Sequence, residues 1–281
     1  GKADVRKIPP TFSKMGGLVI FHENDFFNFL ATNADDNYTG GLHVQLSTNA
    51  RALTYPLPFL GRDKIAQQYH SLGAGHTVFT PEDLGNPDID RHDRPYGSFQ
   101  FFSYSVRTLS RDINSILDLE LNVGEMGGNF SKNFQTKIHA EGWMGSARPV
   151  PQGWHHQIAD GGAFAFNMHV GYQRYLIEYY RGKINWLDNQ YDQTKPFKPF
   201  YIAGTSEVNL GNVVSQMALG LQIGLLNFNS IYGTANRMDI VTIDEEKKGR
   251  RWDWFSASVG ISPRIRYVGH NAYLTGRWLQ H

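Results

Sequence analysis

Strict alternation of apolar and polar residues constrains the fold of this chain more than any other feature. Between residues 41 and 47 the apolar Leu42, Val44 and Leu46 alternate with polar or small residues, without exception. Successive side chains of a β-strand point to opposite faces, so this period of two predicts a strand with one apolar and one polar face. Strands of this kind build antiparallel sheets. We therefore predict an all-β protein.

Eight more segments alternate in the same way, three of them clearly and five more weakly. They are Leu117–Val123, Phe164–Leu176 and Met217–Leu225, followed by Gly17–His22, Ala74–Phe79, Ser98–Leu109, Tyr201–Val208 and Ser256–Tyr267. Several reach the ~9–11 residues that a membrane-spanning strand needs, whereas soluble strands average about 5–6. In the segment Leu117–Val123, Asp118 and Glu120 share one face, and two charges on one face do not suit the core of a β-sandwich. The pattern favours a transmembrane antiparallel β-barrel.

Composition excludes several classes of protein. The 281 residues hold 27 Lys and Arg against 26 Asp and Glu, so nothing indicates a nucleic-acid partner. The absence of cysteine removes disulfides, thiolate metal sites and thiol nucleophiles. No run approaches the ~18 apolar residues of a transmembrane helix. Without a linker-like stretch, residues 1–281 are predicted to form a single barrel domain.

Long polar connections separate the strands, and in outer-membrane barrels such loops lie on one face. The connections are Asn49–Asp63, Glu82–His92, Phe130–Asp160, Asn185–Pro199 and Asn227–Arg251. Within the third, Asn129–Gly142 has no Gly or Pro before its last residue, which predicts a short helix. Gln135 and His139 would lie on one face of that helix at i, i+4 spacing.

Short polar motifs stand in order between the strands. They are Glu23-Asn24-Asp25, Asp35 with Tyr38-Thr39, Thr80-Pro81, Asp93-Arg94-Pro95-Tyr96, Gln135 through His139, and Gly153-Trp154 with Gln157. Six separated motifs in this order resemble the lipid A 3'-O-deacylase family, the LpxR-like outer-membrane enzymes. The resemblance runs from about Gly17 to Gln157. Beyond it, only strand patterning is compatible with the family.

The resemblance implies a barrel of roughly twelve strands in the bacterial outer membrane, with an even strand count. It further implies a calcium-dependent hydrolase that removes the 3'-acyloxyacyl group from lipid A, the lipid anchor of lipopolysaccharide. Family roles transfer where motifs are intact. Asn24 and Asp25 match the Asn-Asp pair after the first strand, Thr39 matches the active-site Thr, and His139 matches the catalytic His.

Elementary chemistry agrees with these roles. Imidazole changes protonation near neutral pH, so His139 could take a proton from water. Asp25 and the Asn24 amide offer the oxygen ligands that calcium prefers. Thr39 would position water or substrate, because a hydroxyl nucleophile needs a base within reach. For the oxyanion, Arg94 and Arg91 are both candidates. Gln135 and Tyr38 complete the predicted substrate contacts.

Departures from the family keep alternatives open. Gly40 replaces the usual Asn, and a Lys-Arg pair has its nearest match in Asp90-Arg91, which lacks the Lys. A non-catalytic barrel that binds lipid or protein partners in an outer-membrane complex is the second interpretation, and a soluble β-sandwich is the third. About nine strands are recognisable, so further strands lie either in the long connections or beyond residue 281.

Overall fold

The computed structural model describes residues 16–24, 38–48, 65–110, 115–141, 149–180, 183–186, 200–228 and 257–275. Eleven strands occur in this part of the chain, and all belong to one antiparallel sheet. They are β1 (Gly16–Asn24), β2 (Tyr38–Thr48), β3 (Ile65–Phe79), β4 (Gly97–Ser110), β5 (Ser115–Met126), β6 (Ala163–Tyr180), β7 (Lys183–Trp186), β8 (Phe200–Gly211), β9 (Val214–Phe228), β10 (Ala257–Ile261) and β11 (Arg264–Asn271).

Helices are few. Helix α1 spans Asn129–Glu141, a single 3-10 turn spans Trp154–His156, and the short α2 spans Ala272–Thr275. Helix α1 confirms the helix predicted between residues 129 and 142. Within the described ranges, no helix is long and apolar enough to cross a membrane.

The nine predicted strand segments are confirmed, with two additions. The predicted Ser256–Tyr267 segment is divided into β10 and β11 by Ser262 and Pro263, and both pieces pair with β9. Proline has no N–H for a sheet ladder, which explains the break. The second addition is β7, which pairs with β6 where a connection was expected. Strand β7 has only four residues, too few for a period of two to be recognised.

Strand order follows the chain from β1 through β6 and then β8, β9 and β10, and each strand on this path pairs with the next, while β7 pairs with β6 and β11 with β9. The sheet curls strongly. Thr77 on β3 meets Tyr273 on α2 with 3.0 Å between their hydroxyl oxygens, although 196 residues separate them. Side chains from β3, β4, β5, β6, β8, β9 and β11 line one internal cavity of about 390 Å³. The sheet therefore wraps around a lumen.

The two faces of the sheet are inverted relative to a soluble protein. On β2, Leu46 is 66% exposed, whereas its neighbours Gln45 and Ser47 are only 2% and 5% exposed. Leu72 on β3 and Phe102 on β4 are likewise exposed. We call the face with these apolar side chains the outer face and the opposite one the inner face. An apolar outer face and a polar inner face are typical of strands that cross a bilayer.

One end of the sheet carries α1, and we call it the helix-bearing rim. It is formed by the ends of β3 and β5 and the starts of β4 and β6. Two long connections leave from this rim, namely 80–96 and 127–162, of which the second is described except for residues 142–148. Beneath them on the inner face, Phe99, Met126, Ala165, Val213, Ala272 and Tyr273 form a buried apolar cluster. This cluster lies between the rim and the polar cavity.

Candidate functional site

Outer-face rows change character as they approach the helix-bearing rim. On β3 the row passes from the exposed Leu72 through Ala74 to His76. On β4 it passes from Phe102 to Gln100 and the fully buried Ser98. Register pairs His76 with Gln100, so the polar residues of the two strands are neighbours. A lipid-facing wall would not place polar groups here unless something covered them.

Helix α1 is the cover. Its Ser131 is fully buried, with its Oγ 2.8 Å from the Nε2 of Gln100. The rings of Phe130 and Phe134 are nearly perpendicular to the ring of His76, with centroids 5.6 and 5.7 Å away. The helix therefore packs on the outer face of the wall.

Gln135 is the central buried residue of this site. Its Oε1 accepts a hydrogen bond from the indole N–H of Trp154 at 3.1 Å. An indole nitrogen can only donate, so the bond identifies which end of the amide is oxygen. The other end, Nε2, is buried and has no hydrogen-bond partner among the described residues. An N–H donor of this kind is costly to leave unpaired, which makes it a candidate contact for a ligand.

Trp154 joins the helix to the wall. With Val78 of β3 and Tyr96 it forms a buried apolar cluster, and the rings of Tyr96 and Trp154 lie 4.8 Å apart. Tyr96 also donates its hydroxyl to the carbonyl of Leu84 at 3.2 Å. Burial raises the pKa of Tyr96, so this hydroxyl keeps its proton at neutral pH. The loops 80–96 and 149–162 are thereby held together over the strand ends.

His139 lies one helical turn beyond Gln135 on α1, and the predicted i, i+4 placement is confirmed. Its Nδ1 is 2.9 Å from the carbonyl oxygen of Pro149. A carbonyl can only accept, so Nδ1 carries the hydrogen. In the neutral ring Nε2 then has a free lone pair, as a general base requires.

The N-terminal motifs reach the same rim through the sheet register. Asn24, the last residue of β1, pairs with Gly40 of β2, and Gly40 pairs with Val78 of β3. The pairing shifts between Tyr38 and Gly40, which places a bulge at Thr39. Asp25 lies outside the described residues, as do the side chains of Asn24, Tyr38 and Thr39. Backbone register thus places Tyr38 and Thr39 beside β3, on which Trp154 packs, and Asn24 one strand further away.

Arg94 and Arg91 stand apart from the helix. The Arg94 guanidinium lies over the ring of Phe79, 5.7 Å from its centroid, and Phe79 packs on Tyr273 of the inner-face cluster. Arg91 is exposed in the loop. No contact recorded for the described residues joins either arginine to Gln135 or His139. Asp93 instead organises this loop, because its carboxylate accepts the backbone N–H groups of Glu82 and Arg94.

A metal centre is not formed by the described residues alone. In that part of the chain no group of three or more His, Asp or Glu side chains could hold a metal ion. The predicted donors, the Asn24 amide and the Asp25 carboxylate, suit a hard cation by their chemistry. Asn24 ends β1, and its register partner Gly40 pairs in turn with Val78 of the cluster formed with Tyr96 and Trp154. Asp25 lies outside the described residues.

The lumen cavity is a separate polar region on the inner face. Arg107 pairs with Asp118 through two contacts, of 2.6 and 3.2 Å, and Arg264 pairs with Glu207 at 2.9 Å. The Nδ1 of His169 is 3.0 Å from the Oδ1 of Asn209. These side chains lie on the opposite side of the wall from α1. The two charges noticed in β5 therefore belong to the lumen.

Sequence reasoning missed Ser131 of α1, the outer-face residues His76 and Gln100 that α1 contacts, and the neighbouring Glu125 on β5. The sequence did contain a pattern that could have identified them. In β3, β4 and β5 the apolar row turns polar at the same rim, at His76, Gln100 and Glu125. Such an interruption in three adjacent strands indicates a patch that another element covers.

An apolar outer face, a polar lumen and a polar site on the outside of the wall define the protein as a transmembrane antiparallel β-barrel. The solved structure of LpxR from Salmonella typhimurium matches with a TM-score of 0.59. That match has 17% sequence identity and covers 85% of this chain and 69% of that chain. At this identity the likeness shows the fold, which confirms the predicted barrel class.

The sequence model of the family described as Outer membrane protein LpxR matches residues 6–281. The chain belongs to this family, which confirms the resemblance of the motifs and extends it well beyond Gln157. Its location is accordingly the bacterial outer membrane. Among proteins with curated descriptions, none matches the chain significantly.

Proposed function

We propose that this protein hydrolyses the ester that joins the 3'-acyloxyacyl group to lipid A, with His139 as the general base. The observation that carries the proposal is that α1 presents two suitable groups one helical turn apart. The hydrogen bond of Nδ1 to Pro149 leaves Nε2 of His139 as the basic nitrogen, and one turn away Gln135 holds an unpartnered buried N–H. A base and a donor at this spacing are what ester hydrolysis requires.

The position of α1 supports a membrane lipid as the substrate. The helix lies on the outer face of the wall at the rim, where lipid headgroups meet acyl chains. A substrate in the outer leaflet could bring its ester to α1 without leaving the membrane. A soluble substrate would give no reason for a polar site on the lipid side of the barrel.

The reaction can be written with the residues of this chain. Nε2 of His139 takes a proton from water as the water oxygen bonds to the ester carbonyl carbon. Nε2 is the nitrogen left to act as the base because Nδ1 is held by Pro149. The N–H of Gln135 donates to the oxyanion. The bond between the acyl carbon and the sugar oxygen then breaks, and the protonated imidazole gives its proton to that sugar oxygen.

Asn24 and Asp25 would hold a calcium ion, which when bound would supply positive charge beside the ester carbonyl. Thr39 at the bulge and Tyr38 would position water or substrate. Because Arg94 contacts the inner-face cluster, the geometry favours Gln135 over Arg94 and Arg91 as the nearest oxyanion donor. The arginines remain available for the phosphates of the lipid headgroup.

The test is deacylation of lipid A by the detergent-purified protein, read by mass spectrometry. We expect loss of the 3'-acyloxyacyl mass by the unchanged chain, and a fall of at least ~10²-fold in rate for His139→Ala. His92→Ala is the matched control, because His92 is an exposed loop histidine. The same assay with and without a calcium chelator tests the cation. Intact lipid A under all conditions would favour a non-catalytic barrel that binds lipid or protein partners.

A further inference from the structure

Helix α1 carries an exposed aromatic row beside its polar row. The row consists of Phe130 and Phe134, which stand at i, i+4 spacing and directly precede Ser131 and Gln135; the half-buried Ile138 follows at the same spacing before His139. The two rows are therefore adjacent on the helix surface. Phe130 is 59% and Phe134 is 42% exposed, although both rings are large and apolar. Exposed aromatic rings beside the polar row that contains Gln135 and His139 indicate a surface on which an apolar ligand could bind.

The two rings are held in fixed positions. They are nearly parallel, with an angle of 5° and 6.0 Å between their centroids. Each also contacts the ring of His76 in a T-shaped arrangement, at interplanar angles of 80° and 81°. Aromatic contacts of this kind stabilise a defined arrangement. The rings therefore form a preorganised surface, which lowers the entropic cost of binding a flexible chain.

The aromatic row continues into the lipid-facing wall. From His76 the outer row of β3 passes through Ala74 to Leu72, and Ala74 pairs with Phe102 of β4. Phe102 is 77% exposed. The four residue steps along the strand from His76 to Leu72 span roughly 13 Å. One leaflet of a hydrocarbon core about 30 Å thick has a similar depth. We call the set Phe130, Phe134, Leu72 and Phe102 the acyl strip.

We propose that the acyl strip binds the hydrocarbon chain of the acyl group whose ester is cut, and that it sets the chain-length preference of the enzyme. This inference rests on the proposed function. A chain laid from α1 down the wall keeps its methylenes on Phe130 and Phe134. Its ester then lies at the adjacent polar row, against Gln135 and His139. The occupant is one acyl chain of the substrate rather than a phospholipid of the bulk membrane.

The first experiment measures binding without turnover. The His139→Ala protein, in phospholipid vesicles, receives a trace of lipid A with a photoreactive diazirine in its 3'-acyl chain. After illumination, adducts are mapped by mass spectrometry. We expect labelling of the peptide containing Phe130 and Phe134 to exceed that of the peptide containing Leu219. Leu219 is an outer-face residue of β9 with similar exposure to lipid. Equal labelling of the two peptides would overturn the proposal.

The second experiment measures chain-length dependence. For lipid A with a long 3'-acyl chain, Phe134→Ala and the double variant with Phe130→Ala should raise KM about tenfold, since a few methylenes lose their contacts. The kcat should change little, and a short-chain substrate should show almost no effect. Leu219→Ala is the control, and Phe134→Leu keeps an apolar surface if alanine impairs insertion. An unchanged chain-length profile would overturn the proposal.

The two proposals fail in different ways. No deacylation by the unchanged chain would reject the proposed activity, whereas the labelling experiment would still report whether the acyl strip holds the chain. Deacylation without preferential labelling would retain the activity and reject the acyl strip.

Discussion

The indole N–H of Trp154 donates a hydrogen bond to the Oε1 of Gln135 across 3.1 Å, and both side chains are almost completely buried. The bond joins a loop that packs on Val78 of the wall to the helix that carries His139. It therefore sets the position of the proposed catalytic helix relative to the strand ends. Its removal should affect both folding and catalysis.

Trp154→Phe should lower the free energy of unfolding by about 1–3 kcal/mol, because it leaves the buried Oε1 of Gln135 without a donor. Guanidinium unfolding in lipid vesicles measures the change. In a double-mutant cycle with Gln135→Met, the loss of unfolding free energy in the double variant should be smaller than the sum of the two single-variant losses by at least ~0.5 kcal/mol. Deacylation should slow in each variant. Strict additivity would show that the bond does not couple the loop to the helix.

Leu72→Arg should destabilise the folded barrel by about 2–4 kcal/mol, because a charge near the middle of a lipid-facing strand must enter the hydrocarbon. Leu72 is 65% exposed, so the same change on a soluble protein would cost little. Folding into lipid vesicles, followed by guanidinium titration, measures the difference. Leu72→Met is the control and should behave like the unchanged chain. If Leu72→Arg were neutral, the outer face would not be in contact with lipid.

Gly127→Ala should destabilise the protein more than Gly161→Ala. Both glycines have positive φ, +75° and +87°, so each substitution meets backbone strain. At Gly127 an added Cβ would also collide with the carbonyl oxygens of Ile158 and Ala159, whereas Gly161 has open space around it. We expect about 1 kcal/mol for Gly161→Ala from strain alone and clearly more for Gly127→Ala. Equal losses, compared by thermal unfolding, would contradict the close approach of loop and strand.

Asp118→Asn should cost about 1–2 kcal/mol of stability, since the charge-assisted pair with Arg107 is partly buried in the lumen. Deacylation should remain unchanged, because Asp118 lies on the inner face and α1 lies on the outer face. Unfolding titrations and initial rates on lipid A measure the two effects separately. A folded Asp118→Asn variant that lost activity would place the lumen in the reaction.

Alternation in the sequence determined the strands, and it also determined which residues share a face. The sequence alone predicts that one face of β2 is apolar and consists of Leu42, Val44 and Leu46. A period of two could not tell whether that face is a core or a lipid surface. The charges at Asp118 and Glu120 indicated the polar lumen. Helix α1 and the shared face of Gln135 and His139 followed from local sequence, since helical spacing is a local property.

Only the tertiary structure decided where α1 lies and what it meets. Nothing local to residues 129–141 specifies the wall, because the helix contacts His76 and Gln100, which lie on strands 31 to 58 residues away in sequence. The same holds for the bond between Trp154 and Gln135 and for the separation of Arg94 from that pair. Sequence therefore determined the alternating wall and the chemistry of the motifs. Long-range packing decided which side of the wall carries the site.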